Sequence, residues 1–109
     1  MDAICEVVVT GPDEEQLVSL TRRLITERLV ACGQHVTAIR SVYRWDGEVQ
    51  DEPEARVMLH TRQTLVPMLM AAIRDHHPYD VPCVLVTPVS VADPDYHRWV
   101  VDGTRPAES

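Results

Sequence analysis

The residues best equipped for chemistry lie in one stretch, Arg74-Asp75-His76-His77-Pro78-Tyr79-Asp80-Val81-Pro82. Two adjacent imidazoles close a helical segment, a Pro-Tyr turn follows, and the apolar run Val84-Leu85-Val86 comes next. Imidazole is a ligand for borderline divalent metals, so a His pair at a helix end is a candidate metal site. Successive side chains on a helix project about 100° apart. His76 and His77 therefore share one ion only where the helix unwinds, and Pro78 biases the residue before it out of the helical region. His76 is in phase with Leu69 and Ile73, where a core or interface histidine is the commoner role. His77 falls on a neighbouring, more reachable face.

Other polar and aromatic groups fall into two sets. Glu52 and Glu54 repeat at period two, on one face of a strand. They are either solvated carboxylates or partners for Arg across an interface. Tyr43, Trp45, Tyr79, Tyr96 and Trp99 either line a small-molecule cleft or pack between subunits with their polar tips at the rim. No Ser nucleophile elbow, phosphate loop or dinucleotide-binding glycine pattern is present. The expectation is a protein that is not an enzyme and takes no organic cofactor.

These groups must be held by a chain of 109 residues, the size of one domain spanning 1–109. Ile4 to Val9 reads as a buried strand, ended by Gly11-Pro12. Asp13 caps a helix, with Gln16 as its capping-box partner. Leu17, Leu20, Leu24 and Ala31 share its inner face, Arg28 interrupts the stripe, and Cys32-Gly33 ends it. Val36 to Trp45 alternates as a strand, Asp46-Gly47 is a type I′ turn signal, and Glu48 to Thr61 returns. Ala55, Val57 and Leu59 share one face of that return strand, and Pro53 marks a bulge or an edge. Such long arms in a small domain call for cover from another subunit. Thr64 caps a second helix with Pro67 in its first turn and Leu65, Leu69 and Ile73 inward. Val81 to Val89 is a fourth strand, Asp93 to Asp102 a short last helix, and 102–109 a frayed tail. The order gives an α+β, ferredoxin-like βαββαβ fold with a C-terminal helix: an antiparallel sheet, two helices on one face, and a long hairpin between the second and third strands.

Charge and cysteine usage narrow the partners. The net charge is −7 and all ten basic residues are Arg. An acidic chain is a poor partner for nucleic acid, whose phosphates need clustered basic groups. Cys5, Cys32 and Cys83 are an odd, scattered set without CxxC spacing, as expected of reduced thiols in the cytoplasm. Cys32, at the end of the helix, and Cys5 both read as buried, inert thiols. No stretch is long and apolar enough to insert in a membrane, and no signal peptide is recognisable.

Taken in order, several pieces resemble the CutA divalent-cation-tolerance family from about Val7 to Thr104. They are Thr10-Gly11-Pro12-Asp13-Glu14, Glu27-Arg28-Leu29-Val30-Ala31-Cys32, and Ser41-Val42-Tyr43-Arg44-Trp45-Asp46-Gly47-Glu48 followed by Glu52 and Glu54. His77-Pro78-Tyr79 with Val81-Pro82, then Asp95-Tyr96 and Trp99, complete the set. The resemblance implies a homotrimer of ferredoxin-like subunits with clefts between them, a role in the response to metal ions, and copper or another divalent metal near the His pair. The metal pattern of some members adds a Cys near the end of the first strand, where this chain has Val9. Two charged family positions are also replaced, a Lys by His60 and a Glu by Cys83. Either the site has drifted or its ligand set has been rebuilt as His77, His60 and Cys83, all of them ligands for soft or borderline metals. Two further readings stand beside this one. The fold also resembles the trimeric PII-like signalling modules, which bind a small effector between subunits, although no basic Gly-rich phosphate loop is present. A trimeric scaffold for a protein partner is the other.

Overall fold

Alternation of apolar residues decides which way each strand faces. In β1 (Ile4–Gly11), Val7 and Val9 are fully buried while Glu6, Val8 and Thr10 are half-exposed. In β3 (Glu48–Arg62), Ala55, Val57, Leu59 and Thr61 are buried and Arg56, Met58, His60 and Arg62 point the other way. The computed structural model describes residues 1–106. Its other elements are α1 (Glu14–Thr26), β2 (Cys32–Trp45), a 3-10 turn at Gln63–Leu65, α2 (Val66–His76), β4 (Val84–Pro88) and α3 (Pro94–Gly103). The four strands pair antiparallel in the order β2-β3-β1-β4, the ferredoxin-like arrangement expected from the element order. Leu17, Leu20 and Leu24 of α1 and Leu69 and Ile73 of α2 bury against Val7, Val9, Val57 and Leu59 in one core. The short α3 packs on the opposite face, where the Tyr96 ring meets His60 edge-on.

Helix α1 starts where expected, with the Asp13 carboxylate accepting the Gln16 N–H at 2.8 Å. It ends six residues before the expected Cys32-Gly33. Arg28 takes a left-handed conformation (φ 59°), its N–H bonds the Ile25 carbonyl, and the Leu29 N–H reaches back to the Leu24 carbonyl. That is a Schellman ending, with buried Leu29 closing over buried Leu24. A glycine is the usual residue at such a position. Arg28 holds it while its guanidinium bonds the Asp102 carbonyl at 3.0 Å. Leu29 to Ala31 therefore lead into the sheet, and Cys32 opens β2 opposite His60.

Three further boundaries differ from expectation. A 3-10 turn precedes α2, and no side chain caps either, so Thr64 is not the cap; Pro67 does lie in the first turn. Strand β4 begins at Val84, because Val81 to Cys83 lie beyond the last pair with β1, Val9 with Val84. The tail is anchored as far as it is described. Thr104 is fully buried, Arg62 bonds its hydroxyl and carbonyl, and the Arg105 N–H bonds the Arg28 carbonyl. Residues 107–109 of the expected frayed segment lie outside the described residues.

The hairpin turns at Asp46 (φ 52°) and Gly47 (φ 80°), both left-handed as a type I′ turn requires. Pairing of β3 with β1 stops at Gly11 opposite Ala55, so Pro53 sits on a stretch of β3 that is an edge on that side. The register shift lies instead in β2, between Val36 and Ile39, where Ala38 adopts φ 141°.

Gly33 sits where β2 passes under α1. A Cβ there would meet the Thr21 methyl at 2.6 Å and Leu59 and Val57 at 3.1 Å. Gly33→Ala should therefore cost about 1–3 kcal/mol through overpacking, read as a lower urea midpoint with an unchanged slope.

Candidate functional site

Beside the hairpin arms, Tyr43, Trp45, Glu54, Tyr79, Asp80 and Cys83 line an open cleft of about 330 Å³. The strands supply the aromatic wall, and the loop after α2 supplies Tyr79 and Asp80. The Tyr79 hydroxyl donates to Glu54 at 2.8 Å, tying that loop to β3. Desolvation pushes the Tyr79 hydroxyl pKa well above its ordinary value, and the Glu54 carboxylate raises it further. Cys83 is exposed, as is Glu52 on the hairpin arm.

The His pair is arranged opposite to expectation. His76, the last residue of α2, is exposed, whereas His77 is only 8% exposed. His77 leaves the helix in an extended conformation, as the residue before Pro78 should. Its Nε2 donates to the Thr10 carbonyl at 2.7 Å, and its Nδ1 accepts the Tyr79 N–H at 3.1 Å. Both nitrogens are engaged in holding the end of α2 and the Tyr79 loop against β1. A metal on either nitrogen would break one of these bonds, so the role of His77 here is structural.

His60 lies elsewhere. It stands opposite Glu6, while Cys83 precedes Val84, which stands opposite Val9. At about 3.4 Å per residue they are roughly 10 Å or more apart along the sheet, and β1 lies between their strands. The structure thus does not bring His77, His60 and Cys83 together. Among the described residues, no three His, Cys, Asp or Glu side chains are placed to hold one metal ion.

What the structure does bring together is a cluster the sequence reading missed. The Glu6 carboxylate accepts from His60 Nε2 at 2.8 Å. On the other side of the ring, Nδ1 lies beside the Tyr96 hydroxyl and 3.4 Å from Cys32 Sγ. The Tyr96 hydroxyl is itself 3.2 Å from that sulfur. Burial pushes the Tyr96 hydroxyl pKa well up, and its bond to Cys32 adds to this. Trp99 stacks on Tyr96 and is half-exposed. Cys32 is thus only partly buried and hydrogen-bonded rather than an inert core thiol. One signal was available: Glu6 is a lone charge inside an apolar strand, and such a residue needs a partner.

The comparisons with known proteins agree with this fold. Residues 5–103 match the family model described as CutA1 divalent ion tolerance protein. The chain is 34% identical over 98 residues to Protein CutA of Mus musculus, covering 90% of this chain and 55% of the mouse protein. It therefore spans about half the length of that relative. Against the divalent-cation tolerance protein CutA of Escherichia coli it is 34% identical over 94 residues, covering 86% of this chain and 84% of that one. The crystal structure of CutA1 from Oryza sativa superposes with a TM-score of 0.92 at 35% identity, covering 95% of each chain.

The Tyr79–Glu54 contact has a pH signature. A hydroxyl whose pKa is raised on folding contributes stability that is complete below the unfolded value, about 10, and is lost as pH rises through the folded value. The stability difference between the parent and Tyr79→Phe should therefore hold steady to about pH 10 and shrink above it, as urea unfolding at graded pH would show.

Proposed function

The chain belongs to the CutA1 divalent ion tolerance family, and on that premise we propose that it is a homotrimeric, non-catalytic protein of divalent-cation tolerance. Its ligand in this reading is copper or another divalent metal, and its compartment is the cytosol. The observation that carries the trimer is the unfinished sheet. Beyond Ala55 the hairpin strands pair only with each other, and Val42, Tyr43, Trp45 and Val49 are exposed along them. An isolated two-stranded ribbon is marginal in water, yet this one contributes to a long dimension of 45 Å against 26 and 23 Å across. On the sheet face away from α1 and α2, Val8 stands between Met58 and Leu85, and Leu85 and Val36 are both exposed. Neighbouring subunits packed on this face and along these arms would remove both liabilities, and the cleft at Trp45 and Tyr79 would then adjoin a subunit boundary.

The cytosolic assignment is supported by three cysteines that form no disulfide, one of them exposed. Among the described residues no helix is long and apolar enough to cross a membrane. Metal binding is supported by the family and by soft donors, the exposed His76 and Cys83 and the Cys32–His60 pair.

Light scattering should give three times the 12.3 kDa of one chain, and Leu85→Asp should shift the population toward monomer. A parent that is monomeric at micromolar concentration would remove the trimer. Calorimetry of the reduced, metal-free chain should show zinc or copper binding at micromolar affinity or better, about −8 kcal/mol. Absence of binding would remove the metal reading.

A further inference from the structure

We propose that the cleft walled by Tyr43, Trp45 and Tyr79 binds a small protonated amine with an apolar body. Such a ligand lies outside divalent-cation tolerance, and its binding needs no metal.

Strand register assembles the wall. Tyr43 and Trp45 of β2 stand opposite Gln50 and Glu48 of β3, and Ser41 and Ile39 stand opposite Glu52 and Glu54. Residues directly opposite in an antiparallel pair share a face, so Tyr43, Trp45, Glu52 and Glu54 rise from one side of the hairpin. Tyr79 closes the cleft from the loop after α2, tied to Glu54 by its hydroxyl at 2.8 Å. The rings remain open to a ligand: Tyr43 is 41% exposed and Trp45 52%.

Charge decides the ligand class. Glu54 and Asp80 line the cleft, and among the described residues that line it none is basic. Desolvation, and then the Glu52 and Glu54 carboxylates, push the Tyr43 hydroxyl pKa up, so Glu52 also acts on this wall. Arg40 and Arg44 fall on the other side of β2. Arg56 stands opposite Thr10 but is exposed and outside the lining. An anion therefore meets like charge in the cleft, and a cation meets opposite charge.

The donors then select the kind of cation. A bare divalent ion takes four or more ligands at about 2.0–2.6 Å. No three His, Cys, Asp or Glu side chains are placed for that among the described residues. An ammonium needs no such cage. It is attracted to the face of Trp or Tyr within about 6 Å of the ring centre, and its N–H groups donate to a carboxylate. Glu54 accepts from Tyr79 through Oε2, which leaves Oε1 for a second donor. A volume of about 330 Å³ is at the small end of ligand sites. Val81, also in the lining, supplies apolar surface for the body of the amine.

Probes of similar body and different charge test this. Phenethylammonium, 2-phenylethanol and 3-phenylpropionate are titrated calorimetrically into the reduced full chain, with a chelator present to exclude metal. Phenethylammonium should bind at one per chain, 2-phenylethanol at least about tenfold more weakly, and 3-phenylpropionate not at all. Glu54→Gln keeps an acceptor for Tyr79 but removes the charge, and should weaken amine binding at least about tenfold. Trp45→Leu should do the same, and Asp80→Asn should weaken it too. Glu15→Gln removes a charge from the exposed surface of α1 and should change nothing. Light scattering checks the assembly of each variant, and if Trp45→Leu alters it, Glu54→Gln and Asp80→Asn carry the test. The proposal is overturned if phenethylammonium does not bind, if 2-phenylethanol binds as tightly, or if Glu54→Gln binds the amine as the parent does. Failure of the amine to bind, with Trp45 shielded from acrylamide in a Trp99→Phe chain, overturns it and assigns the aromatic wall to subunit packing.

Discussion

Pairing of β3 with both β1 and β2 is the constraint on which the rest of the molecule depends. From Ala55 to Arg62 the strand has β1 on one side, and over most of that span it has β2 on the other. Side chains alternate across a strand, so a register shift of one residue would exchange its two faces. In the register observed, Val57 and Leu59 enter the helix-covered core, and His60 and Arg62 emerge beneath α3. Arg62 then ties the start of the chain to the end of α3. It pairs with Asp2 at 2.7 Å and bonds the carbonyls of Val101 and Thr104, fixing the end of α3 above the sheet.

The same register sorts the polar groups into two separate places. At the Gly11 end, the hairpin arms and the Tyr79 loop make the cleft, and His77 is the pin between α2 and β1. At the Ile4 end, Glu6, His60, Cys32 and Tyr96 form a continuous hydrogen-bonded chain from carboxylate to thiol. Histidine serves both places with different chemistry. His77 spends both nitrogens on backbone groups and is a structural strut. His60 has one nitrogen on a carboxylate and the other beside a phenol and a thiol, so it links side chains of three other elements.

The hairpin beyond Ala55 follows a different logic. Its turn is well formed, and the exposed Arg40–Asp51 fork clasps its arms. That clasp lies at the surface, where ion pairs contribute little. Val42 and Val49 lie exposed along the arms, which is the physical basis for the proposal that another subunit covers them.

The order of elements, the apolar faces of β1 and β3, the Asp13 cap and the Asp46-Gly47 turn were all legible in the sequence. Each is a local property, written in side-chain period or in the φ preference of one or two residues. The end of α1 was not legible, because Arg28 holds a left-handed position that glycine usually takes, helped by a bond to Asp102, 74 residues away. The site residues divide in the same way. Tyr43, Trp45 and Tyr79 share the cleft with Glu54, whereas Tyr96 and Trp99, grouped with those aromatics by type, stand beside His60 instead. Pro78 signalled that the chain unwinds at His77, but helical phase could not foretell that the ring is then buried against Thr10. Cys32, His60, Glu6 and Tyr96 come from four separate elements. Only strand register and the docking of α3 decide that they meet, since both depend on contacts between residues far apart in the chain.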